Sequence, residues 1–134
     1  MTTTLEMLDT DPSQAMLDKQ LLARCIDICL ECVQVCTTCA DSDLGEHMVA
    51  DLIKCARLDL DCADMCGTTA RVLSRQTGYD RDLTRGVVQA CALACKVCGD
   101  ECERHAKIHE HCRVSAEVCR RCQQSCEDVL AAIG

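Results

Sequence analysis

The 134-residue chain has no Trp and no Phe, with Tyr79 its sole aromatic ring and Pro12 its sole proline. A core organised around aromatic side chains is therefore excluded, and the interior must be packed from aliphatic residues and thiols. Basic residues are also in deficit: 14 Lys and Arg stand against 22 Asp and Glu, a net charge of −8. No basic stripe exists to follow a phosphate backbone, so nucleic acid is not expected as a partner. No apolar run approaches the roughly 20 residues of a membrane-spanning helix, so no membrane partner is expected either. Met1 to Met16 carries Glu6, Asp9 and Asp11 but no Lys or Arg. Neither the basic start nor the apolar centre of an export signal is present, which places the expectation in the cytoplasm.

Cysteine is what the chain has in excess, at 16 positions. In a reducing compartment such thiols point to metal binding or redox chemistry rather than to a disulfide framework. They fall in four groups: Cys25, Cys29, Cys32, Cys36 and Cys39; Cys55, Cys62 and Cys66; Cys91, Cys95, Cys98 and Cys102; Cys112, Cys119, Cys122 and Cys126. Within a group the steps are 3 and 4, or a 7 where one member is replaced. Each group therefore fits one face of an α-helix.

Four such faces predict an all-α protein, an antiparallel up-down-up-down four-helix bundle with a cysteine-lined core. Residues 1–15 are expected as a flexible segment or short helix, and 16–134 as the bundle. Asp11-Pro12-Ser13 offers a start for the first long helix, which would run to about Cys39. Asp41 to Gly45 reads as a turn. The second helix would end near Gln76, before Gly78. Asp80 or Asp82 would begin the third, a turn near Ala106–Glu110 would follow, and the fourth would finish at Ile133-Gly134. Ile26, Val33, Leu58, Leu60, Leu93 and Val114 would fill helix seams or an oligomer contact.

Charge separates the candidate metals. A Zn(II) ion on four thiolates carries −2, and four such sites would bury an uncompensated charge, which is costly. A Cu(I) ion replaces a thiol proton with a charge of the same sign and leaves the interior neutral. It is soft and accepts two or three thiolates. Thiols at i,i+3 and i,i+4, with Cβ atoms about 5–6 Å apart, are close enough to share it. Cu(I) is therefore favoured, with zinc or a broad soft-metal buffer, and a thiol redox enzyme, as the alternatives.

The stripes, with Cys91-x3-Cys95-x2-Cys98-x3-Cys102 and the run His109-Glu110-His111-Cys112, resemble the four-helix-bundle copper storage proteins, and the cytosolic branch among them. The resemblance covers about residues 16–133. It implies a non-catalytic store of many Cu(I) ions per chain, a homotetramer of bundles loaded through one end, and a copper chaperone as a candidate partner. Asp59, Thr69 and Ser115 depart from the pattern at inner positions, where a thiol would stand.

Antiparallel topology gathers His47, Met48, His105, His109 and His111 at one end and Leu17, Leu21, Leu22, Leu73, Leu83, Val87, Val129, Leu130 and Ile133 at the other. The apolar end should be closed and the imidazole end the entrance. The candidate ligands are thus the sixteen thiols with Asp59, His105, His109 and His111; His47 is expected on the surface. Asp59 reads either as a protonated or water-bonded carboxyl or as an oxygen ligand. Ser115 reads as a filler bonded to its own helix.

Overall fold

The computed structural model describes residues 2–134, so residue 1 of the N-terminal segment lies outside it. Among the described residues the elements are α1 (Thr3–Thr10), α2 (Lys19–Leu44), a 3-10 turn (Val49–Leu52), α3 (Ile53–Ser74), α4 (Arg81–His105) and α5 (Glu110–Ile133). Each of the four long helices packs on the next, and α5 closes back on α2. The result is an antiparallel four-helix bundle whose shared axis carries the thiols.

The first long helix does not begin at Asp11. A residue before proline is held out of the α region, and Asp11 is extended (φ −64°, ψ 128°). It ends α1, and its carboxylate accepts the Ser13 N–H at 2.8 Å. The start of α2 is instead capped by Asp18, which accepts from the Leu21 N–H at 2.9 Å. The short α1 lies against α2, with Leu8 buried in the core and the Thr4 hydroxyl donating to Asp27 at 2.5 Å.

The expected turn at Asp41 is also displaced. Asp41, Ser42 and Asp43 remain helical, and Gly45 caps α2. Cap-forming residues are weak signals that tertiary packing overrides, and here Asp43 is fully buried on the core face. Downstream, α3 stops at Ser74, Gly78 takes a left-handed φ of 70°, and Asp80 caps α4 through the Leu83 N–H at 2.8 Å. A turn at 106–109 then leads into α5.

Gly99 sets the close approach of α4 and α5. A Cβ there would lie 3.0 Å from Arg120 Nη1 and 3.3 Å from Cys119 Cβ. Of the expected seam residues, Ile26 is buried and Val33 and Leu58 pack partly buried against the core. Leu60, Leu93 and Val114 face outward, outside the helix seams and on the surface where an oligomer contact is expected. No helix among the described residues is long and apolar enough to cross a membrane.

Candidate metal centre

All sixteen cysteines are buried and unpaired as disulfides. The heptad steps aim them at the axis, and the antiparallel arrangement stacks them in overlapping groups. Cys29, Cys66, Cys91 and Cys122 form one group whose sulfurs lie within 4.8 Å of one another; Cys32, Cys36, Cys62 and Cys119 form another. Cys32, Cys66, Cys95 and Cys122 link successive layers. Individual separations are short, such as 3.6 Å for Cys36–Cys119, 3.6 Å for Cys66–Cys95 and 3.7 Å for Cys29–Cys122. Nearer the apolar end lie Cys25 and Cys126, also fully buried.

Packed thiols tune one another. A thiolate is favoured by S–H donors around it and disfavoured by burial and by like charge. Cys102 and Cys112 are both lowered, first by hydrogen bonding with Cys39, whereas Cys39 and Cys55 are raised, first by hydrogen bonding with Cys102.

Asp59 sits inside this array, buried completely, in the group Cys39, Cys55, Asp59 and Cys102. Its Oδ1 accepts from Cys98 at 3.2 Å, Cys102 at 3.4 Å and Ser115 at 3.2 Å, and Cys55 approaches Oδ2 at 3.8 Å. Burial, and then the electrostatic influence of Cys102, push its carboxyl up to about 8. Ser115 therefore serves the carboxyl of another helix rather than its own backbone. Thr69, the other departure, does bond its own helix, to the Met65 carbonyl at 2.8 Å.

The apolar end is closed by Leu22, Leu73, Val88 and Val129, all essentially without exposure. Leu83 does not contribute: it is 64% exposed, and Thr84 is buried one position on.

The opposite end is polar. His109 is the residue before α5 rather than an extension of the α4 stripe, and its Nδ1 is 2.6 Å from Glu46 Oε2. His111 Nε2 reaches the same oxygen at 3.0 Å, and the two rings stack with centroids 5.6 Å apart. The paired imidazoles hold the Glu46 carboxylate below its ordinary range, chiefly through His111. The other ring nitrogen, Nδ1, faces inward, 3.3 Å from Cys39 Sγ and 3.6 Å from Cys112 Sγ. His105 is turned to Glu101, Nε2 to Oε2 at 2.8 Å. His47 and Met48 are exposed.

Asp43 was not among the residues singled out from the sequence. It is fully buried beneath His111, with Oδ1 3.7 Å from Cys112 Sγ and 3.7 Å from His111 Nδ1. Its position four residues after Cys39 extends the α2 stripe by one step, a signal hidden by reading Asp41–Gly45 as a turn.

The comparisons with known proteins agree with this geometry. The family model described as copper storage protein matches residues 18–131. The copper storage protein Ccsp from Streptomyces lividans, in a structure loaded with 10 copper equivalents, is 56% identical, with a TM-score of 0.95; the alignment covers 97% of this chain and 99% of that one. A structure of copper loading to a cytosolic copper storage protein from the same organism, with five coppers, is 61% identical over 86% of this chain and 96% of that one, with a TM-score of 0.85. The uncharacterized cysteine-rich protein YhjQ of Bacillus subtilis (strain 168) is 30% identical over 84% of this chain and 99% of its own length. The chain belongs to the copper storage protein family.

Proposed function

We propose that this protein keeps Cu(I) in the cytoplasm on the sixteen thiols of its bundle axis, admitting it at the histidine end. The observation that carries the reading is the continuous stack of buried sulfurs, most of them grouped within 4.8 Å of sulfurs on neighbouring helices. An incoming Cu(I) displaces a thiol proton, so the dry interior gains no net charge as it fills. The soft, low-coordinate preference of Cu(I) suits sulfurs that belong to several overlapping groups at once, because an ion can be handed from one group to the next without leaving thiolate ligation. Asp59, with Ser115 beside it, takes the place of two thiols within the sulfur stack, which Cys98 and Cys102, 3.9 Å apart, carry past it. It holds protons for its neighbours and can supply an oxygen to a nearby cluster.

His111 and His109 act at the mouth. The Glu46 carboxylate engages His111 Nε2 and leaves Nδ1 free to meet an arriving ion and pass it to Cys39 and Cys112. His105, on Glu101, stands as an outer polar group at the same end. The protein works as a homotetramer of such bundles, with a copper chaperone as the exchange partner, and performs no catalysis.

Anaerobic titration of the reduced apo protein with Cu(I), against a competing cuprous chelator, tests this reading. The expected result is tight uptake of at least one ion for every two thiols, with helical circular dichroism constant throughout. Saturation at one or two ions would overturn the reservoir. Rapid mixing should show slower uptake in His111→Ala with capacity nearly preserved.

A further inference from the structure

The mouth differs chemically from the tube beneath it. Cys39, Asp43, His111 and Cys112 contribute two sulfurs, one nitrogen and one carboxylate oxygen, all within 4.8 Å of one another. One oxygen of this buried carboxylate, Asp43 Oδ2, has no hydrogen-bond partner. A buried acceptor left unpaired is costly, and this one belongs to a side chain set among three further metal-ligating groups. From these two observations we infer that, before copper loads, the mouth is a mononuclear site for one divalent cation of tetrahedral preference, Zn(II) in kind, which competes with the first Cu(I) for Cys39, Cys112 and His111.

The spacing fits. Bonds of about 2.3 Å to sulfur and about 2.0–2.1 Å to nitrogen and oxygen give a tetrahedron with edges of roughly 3.3–3.8 Å. The measured edges are 3.3 Å for Cys39–His111 Nδ1, 3.6 Å for Cys112–His111 Nδ1, 4.0 Å for Cys39–Cys112, and 3.7 Å from Asp43 Oδ1 to both Cys112 and His111 Nδ1. The outer shell fits as well. His111 gives its second nitrogen to Glu46 at 3.0 Å, the carboxylate–histidine–metal relation that fixes a ring for ligation.

Hardness separates this site from its neighbours. A carboxylate oxygen is a poor donor for Cu(I) and a good one for a borderline divalent ion. Further down, all-thiolate quartets lack the oxygen. A divalent ion held at the mouth would stand in the path of copper, a consequence that rests on the histidine end being the entrance.

Co(II), a coloured tetrahedral probe, tests the site in the reduced, metal-free full-length chain under anaerobic conditions. The expected result is saturation at one Co(II) per chain, with intense tetrahedral d–d bands and sulfur-to-cobalt charge transfer, both abolished by Zn(II). Asp43→Asn, close in shape, and His111→Ala, at a partly exposed position, should each weaken Co(II) binding at least tenfold while helicity is unchanged. Binding at several equivalents, a weak octahedral spectrum, or indifference to both substitutions would overturn the inference. Cu(I) capacity measured on the same preparation reports separately on storage. Protein carrying one Zn(II) should take up Cu(I) at a lower initial rate. Normal Co(II) binding with an unchanged copper rate would leave the divalent site standing and overturn the entrance instead.

Discussion

At the scale of single residues, the informative positions are those where the thiol pattern breaks. Asp59 is a carboxyl held in a nest of S–H and O–H donors, with burial raising it to about 8 from 3.8. A group raised on folding binds its proton more tightly in the folded state, so it stabilises the fold fully below pH 4. That contribution is lost as pH rises through 8. Asp43, raised to about 6 first by burial, contributes in the same direction over a narrower window. Between pH 6 and 8, Asp59 is therefore the one of the pair still losing its contribution. Thermal melts of the apo protein should show Asp59→Asn flattening the fall in melting temperature between those pH values relative to the unaltered chain. An identical slope in the two proteins would mean that Asp59 is already ionised in the fold. Asp59 stood out in the sequence because it occupies a stripe position between Cys55 and Cys62. The partnership with Ser115 did not, since the two lie on different helices and only packing brings Ser115 Oγ to 3.2 Å from the carboxylate.

At the scale of elements, the helices follow their sulfur periodicity more faithfully than their termini follow cap residues. The stripes located α2 to α5 and their inward faces. Boundaries were legible where one local rule acted alone. Asp80 is such a case, accepting the Leu83 N–H with no competing demand on its side chain. Asp80→Ala should lower stability by about 1 kcal/mol, the ordinary worth of an N-cap, measured by denaturant unfolding of the apo protein. Boundaries failed where rules competed. Pro12 suggested a helix start, yet its restriction on Asp11 ended one instead. Gly99 shows a further constraint invisible to periodicity. With Cys119 Cβ and Arg120 Nη1 already 3.3 Å and 3.0 Å from where a Cβ would stand, Gly99→Val displaces the Arg120 side chain and crowds Cys119 across the α4–α5 contact. The expected cost is about 1–3 kcal/mol. Loss of stability on chemical denaturation would follow, together with altered copper capacity if the Cys98–Cys119 region is displaced. Full stability in this variant would show that the helix pair can separate freely.

At the scale of the whole molecule, the bundle is built to exist before its cargo arrives. Apolar plugs of Leu22, Leu73, Val88 and Val129, the α1 strap through Leu8, and capped helices do not depend on metal. The apo protein is therefore expected to show strong helical circular dichroism. Any ligand that binds only the folded state raises stability by mass action, so Cu(I) loading should raise the melting temperature without adding helix. A random-coil apo spectrum would instead mean that metal organises the chain. The closed apolar floor and the polar histidine end also give the molecule a direction, with filling expected from the Cys39–Cys112 layer inward.

The sequence by itself determined the helical class, the four thiol faces, the soft-metal chemistry and the polarity of the two ends. These follow from 3-and-4 spacing and from topology, which are properties of order along one chain. Tertiary structure alone decided which sulfurs share a layer, that Ser115 and three thiols converge on Asp59, and that Glu46 engages both His109 and His111. It also decided that Asp43 remains helical, its carboxyl buried at the mouth with one oxygen unpaired. Such facts depend on the rotation and vertical offset of one helix against another. Those are fixed by close packing across the bundle, at points such as Gly99, and no spacing within a single helix records them.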